Sequence, residues 1–148
     1  MSNAIHVVCP ACDQVNRIAA DRPTEKAVCG RCQAPLFQGR PVDLDDARFE
    51  KHVARSDLPV IVDFWAPWCG PCRSMAPVFE RAARELEPRA RFVKVNVDEN
   101  PAAAARLGVR GIPALFALKN GAVQAQHAGL ADARLLASWV ERLSGPAN

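Results

Sequence analysis

The rhythm of apolar and polar positions changes along the chain, and the changes mark out its elements. Pro59 to Trp65 is a nearly continuous apolar run, as expected of a strand covered on both faces. Met75, Val78, Phe79, Ala82 and Leu86 then recur at helical spacing, predicting a helix from Cys69 to about Leu86. Pro77 lies inside it and should kink it. Arg91 to Val97 and Ala114 to Lys119 read as further strands. Asn120-Gly121 is a two-residue hairpin signal leading into Ala122 to His127. Asp132 to Leu143 is amphipathic, with Leu135, Leu136, Trp139, Val140 and Leu143 inward. Upstream, Val42 to Leu44 is a short strand, and Asp45 or Asp46 can cap a helix through Phe49 and Val53. Pro101 to Leu107 is a short helix with Gly108 at its end. The order β-α-β-α-β-α-β-β-α predicts an α/β fold, a mixed central sheet flanked by helices on both faces.

Residues 1–38 follow a different pattern. Ile5 to Val8 and Val15 to Ile18 are short extended stretches between polar turns, with little apolar mass. Such a segment needs a staple to fold. Gly39-Arg40-Pro41 reads as a linker, which leaves 42–148 as the main domain. There is no internal repeat and no low-complexity stretch.

Composition narrows the functional classes. Of 148 residues, 49% are hydrophobic and 24% charged, which is globular composition. A net charge of +3 is too mild for a nucleic-acid or anionic-membrane protein. Residues 1–40 carry five Lys/Arg against three Asp/Glu, with no aromatics interleaved for base stacking. No apolar run is long enough to span a bilayer. The N-terminus lacks the apolar core of a secretory signal, so a cytoplasmic address is expected. The six cysteines fall into three C-x-x-C pairs: Cys9/Cys12, Cys29/Cys32 and Cys69/Cys72. In a reducing compartment such pairs mean metal ligands or redox chemistry.

Trp68-Cys69-Gly70-Pro71-Cys72 sits where the buried strand hands over to a helix. Unpaired N–H groups and the positive end of the helix dipole favour an anion on Cys69. Its thiol should therefore be acidified and nucleophilic near neutral pH. Cys72 lies about one turn on, where the two sulfurs can bridge, and Arg73 adds positive charge. The competing readings are a structural disulfide and half a metal site, and the second lacks a spare C-x-x-C or spaced histidine to complete a four-ligand cage.

From about residue 41 onward the chain resembles the thioredoxin family. The resemblance rests on Asp63-Phe64-Trp65-Ala66-Pro67-Trp68-Cys69-Gly70-Pro71-Cys72, on Arg110-Gly111-Ile112-Pro113 and on Lys119-Asn120-Gly121. It implies a protein-disulfide reductase in which Asp63 is a buried proton relay for Cys72 and Lys94 pairs with Asp63 to tune it. Period alone leaves Asp63 equally open to a partly solvated strand face, and a solvated strand lysine is the alternative for Lys94. The resemblance further implies a cis peptide at Ile112-Pro113 facing the sulfurs. It also implies a substrate-docking rim made of Trp68, Gly70, Pro71, Gly111, Ile112, Pro113, Ala128 and Gly129. Two departures stand out: Ala114 where threonine is common, and Pro67 where many members carry an acid. Trp65 and Trp139 read as core. His6, His52 and His127 read as surface or incidental, with His6 an outside candidate as a metal ligand.

Cys9-Pro10-Ala11-Cys12 and Cys29-Gly30-Arg31-Cys32, sixteen residues apart, match the spacing of a four-thiolate zinc site. Two extra disulfides or two free dithiols are the alternatives, and iron would fit the same ligands. Together with the redox motif, this layout resembles the zinc-containing thioredoxin-2 type of bacteria. It implies a small zinc-ribbon-like module holding structural Zn2+, with no bound organic cofactor. Oxidation of the four thiolates would expel the ion and loosen the module, a hypothesis that zinc retained after peroxide, with the thiols oxidised, would rule out. The implied partners are an NADPH-dependent thioredoxin reductase and disulfide-bearing proteins such as ribonucleotide reductase and methionine sulfoxide reductase. A monomer is the default. A thiol oxidase or isomerase would share the fold but calls for an oxidising compartment.

Overall fold

A computed structural model describes residues 4–19 and 23–144. The ends expected for the module and the main domain, residues 1 and 148, lie outside them.

The N-terminal segment forms a hairpin around the first cysteine pair. Strands β1 (Ile5–Val8) and β2 (Val15–Ile18) pair antiparallel, Val8 opposite Val15 and Ile5 opposite Ile18. Cys9 N–H donates to Gln14 O at 2.9 Å and Asp13 N–H to Cys9 O at 3.0 Å. The second pair repeats this turn twenty residues on: Cys29 N–H donates to Ala34 O at 2.8 Å and Gln33 N–H to Cys29 O at 3.0 Å. Asp13 (φ 66°) and Gln33 (φ 68°) occupy the same left-handed position in each turn. The segment thus contains a short repeat that the sequence reading did not find, because apart from the cysteines the two turns share no residue at matching positions.

The remaining elements are β3 (Val42–Asp43), α1 (Asp46–Arg55), β4 (Val60–Trp65), α2 (Gly70–Leu86), β5 (Arg91–Asn96), α3 (Pro101–Arg106), β6 (Ala114–Lys119), β7 (Ala122–Ala128) and α4 (Ala133–Ser144). They follow the expected order, with no expected end shifted by more than one residue. Asp45 caps α1 by accepting from Arg48 N–H at 2.8 Å. The hairpin turn between β6 and β7 uses positive φ at both Asn120 (54°) and Gly121 (80°), as its residue types demand. The helix α2 runs through Pro77 without a break.

The five-stranded sheet has the order β3-β5-β4-β6-β7. Strands β3, β5 and β4 are parallel, whereas β6 runs antiparallel to β4 and β7 antiparallel to β6. The central strand β4 sorts its residues by period two. Val60, Val62 and Phe64 join Phe49 and Val53 of α1 on one face. Ile61 joins Met75 and Phe79 of α2 and Leu136 and Trp139 of α4 on the other. Phe64 lies between two aromatic neighbours, Phe49 at 6.1 Å and Phe116 at 5.5 Å between ring centroids.

The cysteine-rich segment has a core of its own, built from Val7, Cys9, Ile18, Cys29 and Leu36, but Leu58 from the loop before β4 completes it. Gly39, in the expected linker, donates its N–H to Glu87 Oε1 at 2.9 Å. The segment therefore lies against the main sheet's periphery.

Candidate active site and four-cysteine cluster

Strand β4 ends at Trp65, and α2 begins at Gly70. Cys69 is the N-cap of α2: its backbone is extended, and its Sγ accepts from Cys72 N–H at 3.2 Å. Pro71 falls in the first turn, where a missing N–H costs nothing. Cys69 and Cys72 are joined as a disulfide with Cα atoms 5.2 Å apart. Both are nearly covered, whereas Trp68 beside them is 66% exposed.

Asp63 belongs to the same strand and is fully buried. By alternation it shares the face of Ile61, the face on which α2 packs. Its neighbours across the sheet are Lys94 of β5 and Leu115 of β6. Among the described residues, neither carboxylate oxygen has a hydrogen-bond partner. Burial pushes its pKa up to about 6, and the charge of Lys94 opposes that rise. The expected pairing of the two side chains is not a direct contact. The Lys94 ammonium stands over the Trp65 ring, 4.7 Å from its centroid, so it acts on Asp63 through space only. Trp65 itself is only partly buried, and its Nε1 lacks a partner.

The residues expected in the rim come from three segments, around the start of α2, before β6 and at the end of β7. The Ile112–Pro113 peptide is cis. Ile112 O lies 3.8 Å from Cys69 Sγ. Pro113 O accepts from Gly129 N–H at 2.9 Å, which brings Ala128 and Gly129 beside the proline. Gly111, Gly70 and Pro71 are exposed, and Ile112 is half-buried. Trp68 donates its indole N–H to Asp98 Oδ2 at 2.9 Å. Asp98, from the turn after β5, is a site residue that sequence reasoning missed, since nothing local distinguishes it from Glu99. Arg73 donates to Pro67 O at 3.1 Å and so braces the loop before Cys69.

Cys9, Cys12, Cys29 and Cys32 come together, with all four sulfurs within 4.8 Å of one another. Cys9 and Cys32 sulfurs are 3.6 Å apart, as are those of Cys12 and Cys29. A tetrahedral ion with thiolates at about 2.3 Å has sulfur–sulfur edges of about 3.8 Å, so the four residues fit zinc. Backbone N–H groups of Ala11 and Arg31 each reach a cysteine sulfur at 3.3 Å, the usual support for a metal-bound thiolate. His6 is not part of the cluster, because its ring is bonded to Asp57 at 3.0 Å. His52, expected to be surface or incidental, is fully buried and 2.9 Å from Asp13 Oδ1. Burial pulls its pKa down to about 4, against the pull of Asp13, so at neutral pH Nε2 is the donor.

Comparison with known proteins agrees with this geometry. Residues 40–142 match the thioredoxin family model, and residues 8–34 match a model described as Thioredoxin 2, N-terminal. The chain belongs to the thioredoxin family. Among its relatives is Thioredoxin C-3 of Corynebacterium nephridii, 33% identical over 136 residues, covering 92% of this chain and 93% of that one. Thioredoxin of Haemophilus influenzae is 46% identical over 99 residues, 67% of this chain and 92% of its own. A solved structure, a mutant thioredoxin from Halobacterium salinarum, superposes with a TM-score of 0.67 at 32% identity, covering 74% of this chain and 96% of its own. As a thioredoxin, the chain is a thiol-disulfide oxidoreductase working through Cys69 and Cys72. Among the described residues, no helix is long and apolar enough to cross a membrane.

Proposed function

We propose that this thioredoxin is a cytoplasmic, monomeric protein-disulfide reductase that carries structural zinc on Cys9, Cys12, Cys29 and Cys32. The observation carrying the proposal is Cys69 at the cap of α2, bridged to Cys72 one turn on, with a buried, unpartnered Asp63 on the sheet face that α2 covers.

The reduced Cys69 thiolate attacks one sulfur of a substrate disulfide. A mixed disulfide forms, and the first substrate thiolate leaves. Asp63 takes the proton of Cys72, for which a pKa near neutrality suits it. The Cys72 thiolate then attacks Cys69 Sγ and expels the second substrate thiolate. The substrate gains two electrons, and the Cys69–Cys72 disulfide remains. An NADPH-dependent thioredoxin reductase restores the dithiol. The exposed Trp68, the Gly111-Ile112-Pro113 loop and Ala128-Gly129 dock the substrate chain, with Gly70 and Pro71 allowing close approach. Proteins such as ribonucleotide reductase and methionine sulfoxide reductase are the substrate class that family membership favours.

Zinc would supply folding free energy to a segment with a small core. It takes no part in the exchange. The division into a module at 1–38, a joint at 39–41 and a thioredoxin domain at 42–148 draws support from the cluster and the two family matches.

Insulin-disulfide reduction with thioredoxin reductase and NADPH tests the reading. Wild type is expected to turn over, Cys69→Ser to be inactive, and a variant lacking all four N-terminal cysteines to retain activity. Full activity in Cys69→Ser would overturn it.

A further inference from the structure

Away from the redox pair, the densest group of buried charge lies where the cysteine module meets the thioredoxin domain. Arg91, at the start of β5, is almost completely buried there. Its Nη2 donates to Val8 O at 3.2 Å and to Leu36 O at 2.8 Å. Its Nη1 donates to Glu87 Oε2 at 3.1 Å, and its guanidinium stacks 4.9 Å from the Phe37 ring centroid. Arg48, in α1, donates from Nη2 to Pro10 O at 2.9 Å. Its Nε and Nη2 also hold the Asp13 carboxylate at 2.9 Å each.

These contacts share a target. Val8 and Pro10 flank Cys9, and Asp13 follows Cys12. Two arginines of the thioredoxin domain therefore grip the first cysteine turn by the carbonyls on both sides of Cys9 and by the carboxylate after Cys12. The second turn is tied inside the module, where Gly30 N–H donates to Asn16 Oδ1 at 2.9 Å and Asn16 Nδ2 reaches Cys29 Sγ at 3.5 Å.

We propose that Arg48 and Arg91 are positioning residues for the metal on the four cysteines, so that zinc retention depends on the thioredoxin domain. The inference rests on the zinc reading above. A four-cysteine site releases its ion when one turn frays and its sulfurs depart to a competitor. The module core is too small to prevent this unaided, since it needs Leu58 from the other unit. Charged donors on buried carbonyls fix the backbone that aims Cys9 and Cys12. Linkage makes the coupling reciprocal: if the folded thioredoxin domain favours bound zinc, bound zinc stabilises the thioredoxin domain by the same amount.

The test uses the full-length protein, with its zinc content measured first. Zinc transfer to a coloured chelator is timed with the active-site pair oxidised, and Tm is read before and after chelation. The variants are Arg48→Ala, whose side chain is partly exposed, and Glu87→Gln with Arg91→Met, which leaves no buried charge unpaired. Arg81→Ala, at an exposed i,i+4 pair, is the control. Circular dichroism and insulin reduction verify that each variant is folded.

Zinc loss should be faster by roughly 10–100-fold in Arg48→Ala and in the double variant, and unchanged in the control. Chelation should lower the wild-type Tm, and lower it less in the variants. Wild-type release rates in both variants, or a wild-type Tm indifferent to chelation, would overturn the coupling while leaving the metal reading intact. Wild type purified without metal, and unable to take up zinc, would overturn the metal reading and this inference with it.

Discussion

Asp63 and Lys94 face each other as register partners on adjacent parallel strands, yet the carboxylate has no hydrogen bond and the ammonium rests on Trp65. A charge placed this way is stabilised only weakly against its loss of water. That makes Asp63 a proton acceptor near neutral pH, and it also makes Asp63 a liability for stability.

The liability is measurable. An ordinary Asp carboxyl has a pKa of 3.8, and burial raises that of Asp63 to about 6. The native state therefore holds its proton more tightly than the unfolded chain. The favourable term is complete below pH 3.8 and disappears as pH rises through about 6. The difference corresponds to about 3 kcal/mol, as an order of magnitude. Asp63→Asn should thus be more stable than wild type at pH 8 by about that amount, with the gain gone near pH 4. Urea unfolding at the two pH values checks this. Insulin reduction by the variant should be slower at pH 7.

Lys94→Met removes the one charge that opposes the rise. The Asp63 pKa should move further up, and the acidic limb of the pH–rate profile should shift to higher pH in step. Carboxyl titration by NMR on the reduced protein reads the first, and steady-state rates read the second. An unmoved titration would mean that Lys94 packs on Trp65 without tuning Asp63.

How much of this was legible follows from the range of each interaction. Strands β1, β2 and β6 match the sequence reading to the residue, because alternation or an apolar run and its flanking turns are local signals. The redox pair was legible for the same reason, since a strand, a cap and a helix meet within five residues. The bland reading of His52 failed because its cover, Asp13, lies 39 residues away in another unit. Arg91 gave no signal, since an arginine opening a strand is ordinary until a module closes over it. Lys94 is the register partner of Asp63, but strand register cannot say whether a flexible chain points at a carboxylate or at an indole.

Asp98 holds the indole of the exposed Trp68 across the site. Asp98→Ala should free the ring to rotate and blur the docking rim. KM for insulin should rise several-fold, while the rate with a small aromatic disulfide, which needs little of the rim, should stay near wild type. Equal losses with both substrates would instead place Asp98 in the chemistry.

The redox chemistry depends most on the position of Cys69 at the start of α2. Its thiol should be more acidic than free cysteine, and the thioredoxin family is itself a standard instance of that effect. The direct measurement is the thiolate absorbance of a Cys72→Ser variant with the four cluster cysteines held by zinc, followed from pH 5 to pH 10. A midpoint well below about 8.5 is the predicted result. A midpoint at or above that value would contradict the account.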